Sequence, residues 1–148
     1  MPVRCALDSN ILIYAALEPG SEKGQRAAEV IRLAAPSGVL AVQALLEFVA
    51  VVRRRAPELT AKAIQQADAW AAVFEIAPTD AAVMTSAARL VASHRFQVWD
   101  AVIWSAAEAA GATVLITEDL HDGLQLGTMS ALNPFQRRWD EISALLSA

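Results

Sequence analysis

Four acidic side chains stand where acids are costly or conspicuous. Asp8 ends an apolar run in LDSNILIYA, Glu47 lies inside VQALLEFVAVV, Asp100 opens WDAVIWSAAEAAG, and Asp119 follows VLIT in TEDLHDG. Two carboxylates about 5 Å apart repel by about 3 kcal/mol at an effective dielectric of about 20, and four meeting at one point make several such pairs. Such a cluster calls for a divalent cation. Oxygen donors without His or Cys select hard ions, Mg2+ or Mn2+. One or two such ions activate a water and neutralise a phosphoryl group during in-line attack, so the chemistry to expect is metal-assisted hydrolysis of a phosphate ester.

Each acid also has a plainer reading. Asp8 could cap a helix, with Ser9 and Asn10 placed to orient a carboxylate or a bound water. Glu47 sits in a helix that is apolar on nearly every side and is therefore expected to be buried. A bare charge there costs several kcal/mol, so Glu47 must be protonated, paired or bound to a cation. Its nearest basic residues in sequence, Arg53, Arg54 and Arg55, lie about two turns further on, whereas Gln43, one turn earlier, shares its face and could touch the same ligand. Asp100 suits the positive end of a helix dipole. Asp119 and the weaker candidate Asp122 could be solvated turn residues. What joins the acids is position: each maps to the carboxyl end of a strand or to the helix just beyond it, where open α/β sheets place their ligands.

The elements that must position them can be read from periodicity. Residues 3–7 and 112–117 form short apolar runs expected as buried parallel strands, and a third, Gly38 to Val42, follows a Pro-Ser-Gly turn and leads into a helix. Strand followed by helix, repeated, indicates an α/β fold. Helical spacing places Ala27, Val30, Ile31 and Ala34 on one stripe of residues 22–35. Pro57 ends the next helix, Thr60 is the expected N-cap of a helix over 61–74, and Thr79 or Asp80 caps another that buries Val83, Ala87, Leu90 and Val91. A fifth runs from about Trp99 to Ala110 and stops at Gly111, which suits a left-handed position after a helix. Beyond a turn at Asn133-Pro134, a short amphipathic helix over about 136–146 carries Trp139, Ile142, Leu145 and Leu146, and is expected to cap the core or meet a second subunit.

With 148 residues, 55% hydrophobic and 19% charged, the chain has the size and composition expected of one domain spanning 1–148, not of a disordered or low-complexity chain. Mean hydropathy is +0.36, yet no run is long and apolar enough for a membrane span. The N-terminus has too short an apolar stretch for a secretory signal, and the lone Cys5 can form no internal disulfide, so a cytoplasmic location is expected. With only His94 and His121 to help, Cys5 cannot build a usual zinc site either. A net charge of −4 opposes binding of nucleic acid by an overall basic surface. The chain holds 12 basic against 16 acidic residues, so if four acids belong to one site the remainder is balanced.

LDSNILIYA, VQALLEFVAVVRR, VWDAVIWSAA and VLITEDL, in this order and spacing, resemble the PIN-domain family, in particular the VapC-type toxins of toxin–antitoxin pairs. The resemblance covers roughly residues 3–135. It implies a three-layer α/β/α fold around a central parallel sheet and a Mg2+- or Mn2+-dependent endoribonuclease that leaves a 5′-phosphate and a 3′-hydroxyl. The family's catalytic and metal-binding acids map onto Asp8, Glu47, Asp100 and Asp119, with Glu118 and Asp122 as alternatives for the last. Asn10 and Thr117 match polar positions that support the site in similar proteins. The resemblance further implies a homodimer and a cognate antitoxin that inhibits it.

The remaining features have structural as well as functional readings. Arg53, Arg54 and Arg55 suit the negative end of a helix dipole, and could also draw RNA phosphates toward an acidic centre, together with others such as Lys23 or Arg26. Trp70, Trp99, Trp104 and Trp139 are expected in the core or at an interface. No phosphate loop, dinucleotide fingerprint or nucleophile elbow occurs in the sequence. Two alternatives stand beside the nuclease: a catalytically inactive PIN-fold module that binds RNA or protein, and a Mg2+-dependent small-molecule phosphatase. The second is disfavoured because Asp8 is followed by Ser-Asn, without the second Asp a haloacid-dehalogenase-type enzyme places two residues on.

Overall fold

The computed structural model describes residues 3–147. In chain order the elements are β1 (Cys5–Leu7), α1 (Ser9–Leu17), α2 (Glu22–Ala34), β2 (Val39–Ala41), α3 (Val42–Arg55), a single 3-10 turn (Pro57–Leu59), α4 (Thr60–Val73), β3 (Glu75–Ala77), α5 (Ala81–His94), α6 (Val98–Ala109), β4 (Val114–Ile116), β5 (Gln125–Leu126), β6 (Met129–Leu132) and α7 (Trp139–Ser147). The six strands form one sheet in the order β3-β2-β1-β4-β6-β5. All neighbours are parallel except β5 and β6. The result is an α/β fold with helices on both faces, as the alternation of strand and helix indicates.

Alternation along each strand divides the core in two. Cys5, Leu7, Leu40, Val114 and Ile116 face a cluster filled by α1, α2, α3, α4 and α7, while Ala6, Val39, Ala41, Leu115 and Ala131 face α5 and α6. The first face is built of large side chains. Phe48 on α3 is fully buried there, with its ring 4.9 Å from that of Trp70 in an edge-on contact; burial of such a side chain contributes about 2–3 kcal/mol. The second face is rich in alanine, which lets α6 lie close to the sheet, with every residue from Ala101 to Ala107 buried.

The helix ends have the expected chemistry in part. Asp80 caps α5 by accepting from the Val83 amide at 2.9 Å, and Gly111, at φ +90°, follows α6. Thr60 is the first residue of α4 and not its cap; the preceding 3-10 turn occupies the cap position, and the Thr60 hydroxyl donates back to the Pro57 carbonyl. The tail helix starts at Trp139, a few residues later than expected, and puts Ile142 and Leu146 into the first cluster. Strands β3, β5 and β6 are additions to the sequence reading. β3 has only three residues, and β5 and β6 form a hairpin around Gly127, at φ +59°.

One expectation is corrected. Helix α3 is not buried all round: its inner stripe is Ala44, Phe48 and Val52, and Leu46 is 59% exposed. The reason is its location, since one side packs on the core while the other lines an open cleft. Of the two places expected for Trp99 the core is not the one it takes; it is 57% exposed on that same cleft. No helix among the described residues is long and apolar enough to cross a membrane.

Candidate functional site

β1 and β4 are neighbours in the middle of the sheet, and the chain leaves them toward different elements, α1 and the loop before β5. A crevice opens at the carboxyl ends of such strands. Asp8 emerges at the end of β1 and Asp119 just beyond β4, while the first turn of α6 brings Asp100 to the same place. One carboxylate oxygen from each of Asp8, Asp100 and Asp119 lies within 4.8 Å of the other two. Asp100 and Asp119 line a cleft of about 1120 Å3 that is walled by α1, α3 and the start of α6, with Asp8 buried beside them.

Asp8 has the most elaborate support. It is 1% exposed, and its Oδ1 accepts from the Ser9 amide at 2.7 Å, so it does cap α1. The capping and ligand readings are therefore compatible. Its Oδ2 accepts from the Thr117 hydroxyl at 2.7 Å and from Asn10 Nδ2 at 3.4 Å. Thr117 is itself fully buried and also accepts from the Asp119 amide at 3.1 Å. Asn10 donates to Asp119 Oδ2 at 3.0 Å and accepts from the Glu118 amide at 3.4 Å. Asn10 and Thr117 thus stitch two of the three carboxylates together. Asp100 accepts no hydrogen bond from a described residue, and Gln97, not Asp100, holds the cap position of α6.

The electrostatics of the cluster are unfavourable without a cation. Burial pushes the Asp8 carboxyl up, the Thr117 hydroxyl opposes this, and the charges of Asp100 and Asp119 raise it further, to about 7. Asp100 is raised to about 6 by burial, then by Asp119 and Glu47. Both shifts arise from desolvation and like charge. The donor set fits a hard divalent ion: oxygens only, mutually repelling, with two of the three carboxylates, Asp8 and Asp119, oriented by hydrogen bonds.

Glu47 stands at the rim. It is outside the triad, half-buried, and its Oε2 accepts from the Ser9 hydroxyl at 2.9 Å. Its partner is thus a hydroxyl from α1, a possibility the apolar pattern of α3 did not suggest. Gln43 lines the cleft one turn away. Of the three arginines that end α3, Arg54 and Arg55 line the cleft and Arg53 does not.

The loop after β4 assigns its three acids to different tasks. Only Asp119 joins the triad. Asp122 turns away, accepting from the Asn133 amide at 2.8 Å and from Arg137 Nε at 3.1 Å. Glu118 accepts from the Tyr14 hydroxyl and pairs with Lys23 at 2.8 Å. Lys23 is thus paired with Glu118, and Arg26 donates to the carbonyls of Pro134 and Arg137. The sequence carried no local signal for the Tyr14–Glu118–Lys23 contact or for Arg137, because the partners lie on separate elements. Trp99 had a signal, its place beside Asp100 in the first turn of a helix.

A family model described as PIN domain matches residues 5–121. Among solved structures, the chain is similar to a toxin–antitoxin complex from Klebsiella pneumoniae (18% identity, 88% of this chain and 97% of that one, TM-score 0.65). It is also similar to VapC20 of Mycobacterium tuberculosis, described as a sarcin-ricin loop cleaving toxin (18% identity, 78% and 91%, TM-score 0.61). A third similar structure is FitAcB from Neisseria gonorrhoeae (17% identity, 90% and 99%, TM-score 0.61). At these identities the likeness is one of fold. No curated protein matches the chain.

Proposed function

The chain belongs to the PIN domain family, and from that premise we propose that it is a Mg2+- or Mn2+-dependent endoribonuclease, the toxin of a VapBC-type pair. The observation that carries this reading is the meeting of Asp8, Asp100 and Asp119 within 4.8 Å of one another at the carboxyl end of the sheet. These three would hold the cation. When bound, it would supply Lewis-acid activation of water and neutralise the phosphoryl oxygens.

The chain's own residues account for the rest. Thr117, Ser9 and Asn10 hold the Asp8 carboxylate in one orientation, and Asn10 does the same for Asp119. Glu47 lines the cleft and keeps Oε2 on the Ser9 hydroxyl, so that Oε1, with no partner among the described residues, is the oxygen to take the proton of the attacking water. The water oxygen bonds to phosphorus as the bond to the 3′ oxygen breaks, and the departing 3′ oxygen takes a proton from solvent, giving a 5′-phosphate and a 3′-hydroxyl. Arg54 and Arg55, about two turns further along α3 from Glu47, line the same cleft and attract the flanking phosphates. Glu47, Asp8, Asp100 and Asp119 are thus the proposed catalytic set, with Gln43 at its edge.

A cognate antitoxin and a homodimer, acting in the cytoplasm, complete the reading. The antitoxin rests on likeness to structures described as toxin–antitoxin complexes. The inactive-module alternative does not explain why three mutually destabilising acids are kept together. The phosphatase alternative is disfavoured because Asp8 is followed by Ser9 and Asn10, without the second Asp two residues on.

The test is purified protein with single-stranded RNA, with Mg2+ or with chelator, beside Asp100→Asn. Cleavage that needs the ion and disappears in the variant supports the reading. Cleavage that survives both changes sinks it. RNA binding without cleavage indicates the module, and phosphate release from small esters with intact RNA indicates the phosphatase.

A further inference from the structure

Asp8 is pinned between β1 and α1, and Asp100 lies within α6, but Asp119 sits in an irregular segment, residues 118–124. Its exposed carboxylate has one side-chain hydrogen bond, from Asn10. Repulsion from Asp8 and Asp100 acts to swing it out into water. What opposes this is anchorage on both sides of it. On one side Glu118 pairs with Lys23 and accepts from Tyr14, while the Lys23 ammonium sits 5.0 Å from the Tyr14 ring centre and 5.2 Å from that of Phe135. On the other side Asp122 is held by Arg137 Nε and by the Asn133 amide, and Asn133 in turn accepts from the Phe135 amide at 2.9 Å. Both braces converge on the segment around Phe135, which lies beyond the residues the family model matches.

We propose that Lys23 and Arg137 are positioning residues for the Asp119 carboxylate, bracing its loop from both sides through Glu118 and Asp122. The proposal rests on the reading that the triad holds a divalent cation. Exposed ion pairs contribute little to stability, so the function of this pair is geometric: they keep Asp119 facing two like charges. The sign of the effect separates this from simple electrostatics. Removing a cationic side chain near a cluster of carboxylates strengthens cation binding by Coulomb's law, whereas releasing the brace weakens it.

The experiment is calorimetric titration of Mn2+ into the full chain and into Lys23→Met, Arg137→Met and the double variant, with melting temperature measured without metal. Each single variant is expected to lose about tenfold in Mn2+ affinity and the double variant more, with little change in metal-free melting. Lys23→Arg restores most of the loss. Arg32→Met, which breaks an exposed pair with Glu29 on the same helix as Lys23, leaves affinity unchanged. Affinity that is equal or higher in the braceless variants, yet lost in Asp119→Asn, overturns the brace alone. Wild-type protein that binds no Mn2+ overturns the metal reading and the brace together. If the double variant fails to fold, the single variants decide the matter.

Discussion

The hydroxyl of Thr117 donates a 2.7 Å hydrogen bond to Oδ2 of Asp8, joining the ends of two adjacent parallel strands, β4 and β1, in a fully buried position. A hydrogen bond to a buried carboxylate contributes about 1.5–3 kcal/mol. Thr117→Val keeps the shape and removes the donor. The Asp8 carboxyl is then expected to rise further above about 7, and Mn2+ affinity at neutral pH to fall about tenfold. Thr117→Ser retains both, and Mn2+ titration of the two variants checks the contrast.

Protonation and metal compete for the same oxygens. Asp8 at about 7 and Asp100 at about 6 both stand above the ordinary 3.8, so the folded chain binds these protons more tightly than the unfolded one. The stability they contribute is fully present below about pH 4 and is lost as pH rises toward 7. Without metal, Asp100→Asn should therefore be more stable than wild type at pH 7.5, by about 1 kcal/mol once the partial exposure of Asp100 is allowed for. At pH 5 the difference should be smaller, and the two should converge only as pH falls to about 4. Added Mn2+ should raise the melting temperature of wild type strongly at pH 7.5 and little at pH 5. Chemical denaturation with chelator at both pH values provides the check, and a less stable Asp100→Asn at pH 7.5 contradicts the electrostatic account.

The three consecutive arginines at the end of α3 should not behave alike. Arg54 and Arg55 line the cleft and Arg53 lies outside it. For single-stranded RNA bound with Asp100→Asn protein, each of Arg54→Ala and Arg55→Ala is expected to weaken affinity and to reduce the salt slope by about 0.7. Arg53→Ala leaves the slope unchanged. Binding isotherms over a range of salt concentrations distinguish the three.

Gly24 lies in the first turns of α2, and a Cβ there would come 1.7 Å from the Glu18 carbonyl oxygen. That oxygen is backbone and cannot move aside without opening the turn between α1 and α2. Gly24→Ala is expected to cost about 3 kcal/mol and to disturb Lys23 beside it. Gly20→Ala meets nothing within 4 Å and should change stability by less than about 1 kcal/mol. Urea unfolding of the two variants measures the difference.

Much of this was legible in the sequence because it depends on local pattern. The runs ending at Asp8 and Thr117 are apolar and short, so their strands and the polar positions just past them could be located. Asp80 and Gly111 announce helix ends through chemistry that acts within one turn. Glu47 was located correctly on α3 but its surroundings were misjudged, since a helix apolar in composition can still present one side to a cleft. β3 was missed because it lies at the sheet edge and opens on the exposed Glu75, so Glu75–Ala77 form no apolar run of the kind that marks β1, β2 and β4.

Residue order alone determined which acids stand at strand ends and at the start of α6, and therefore that carboxylates gather at one edge of an α/β sheet. Tertiary structure alone decided which acid of Glu118, Asp119 and Asp122 completes the triad. Their sequence contexts are nearly equivalent, and the choice is made by Lys23, Tyr14, Asn133 and Arg137, groups remote along the chain whose proximity depends on how α1, α2 and the tail pack together. Ion pairs and hydrogen bonds act over a few ångströms of space, and no periodicity along a polypeptide records that distance.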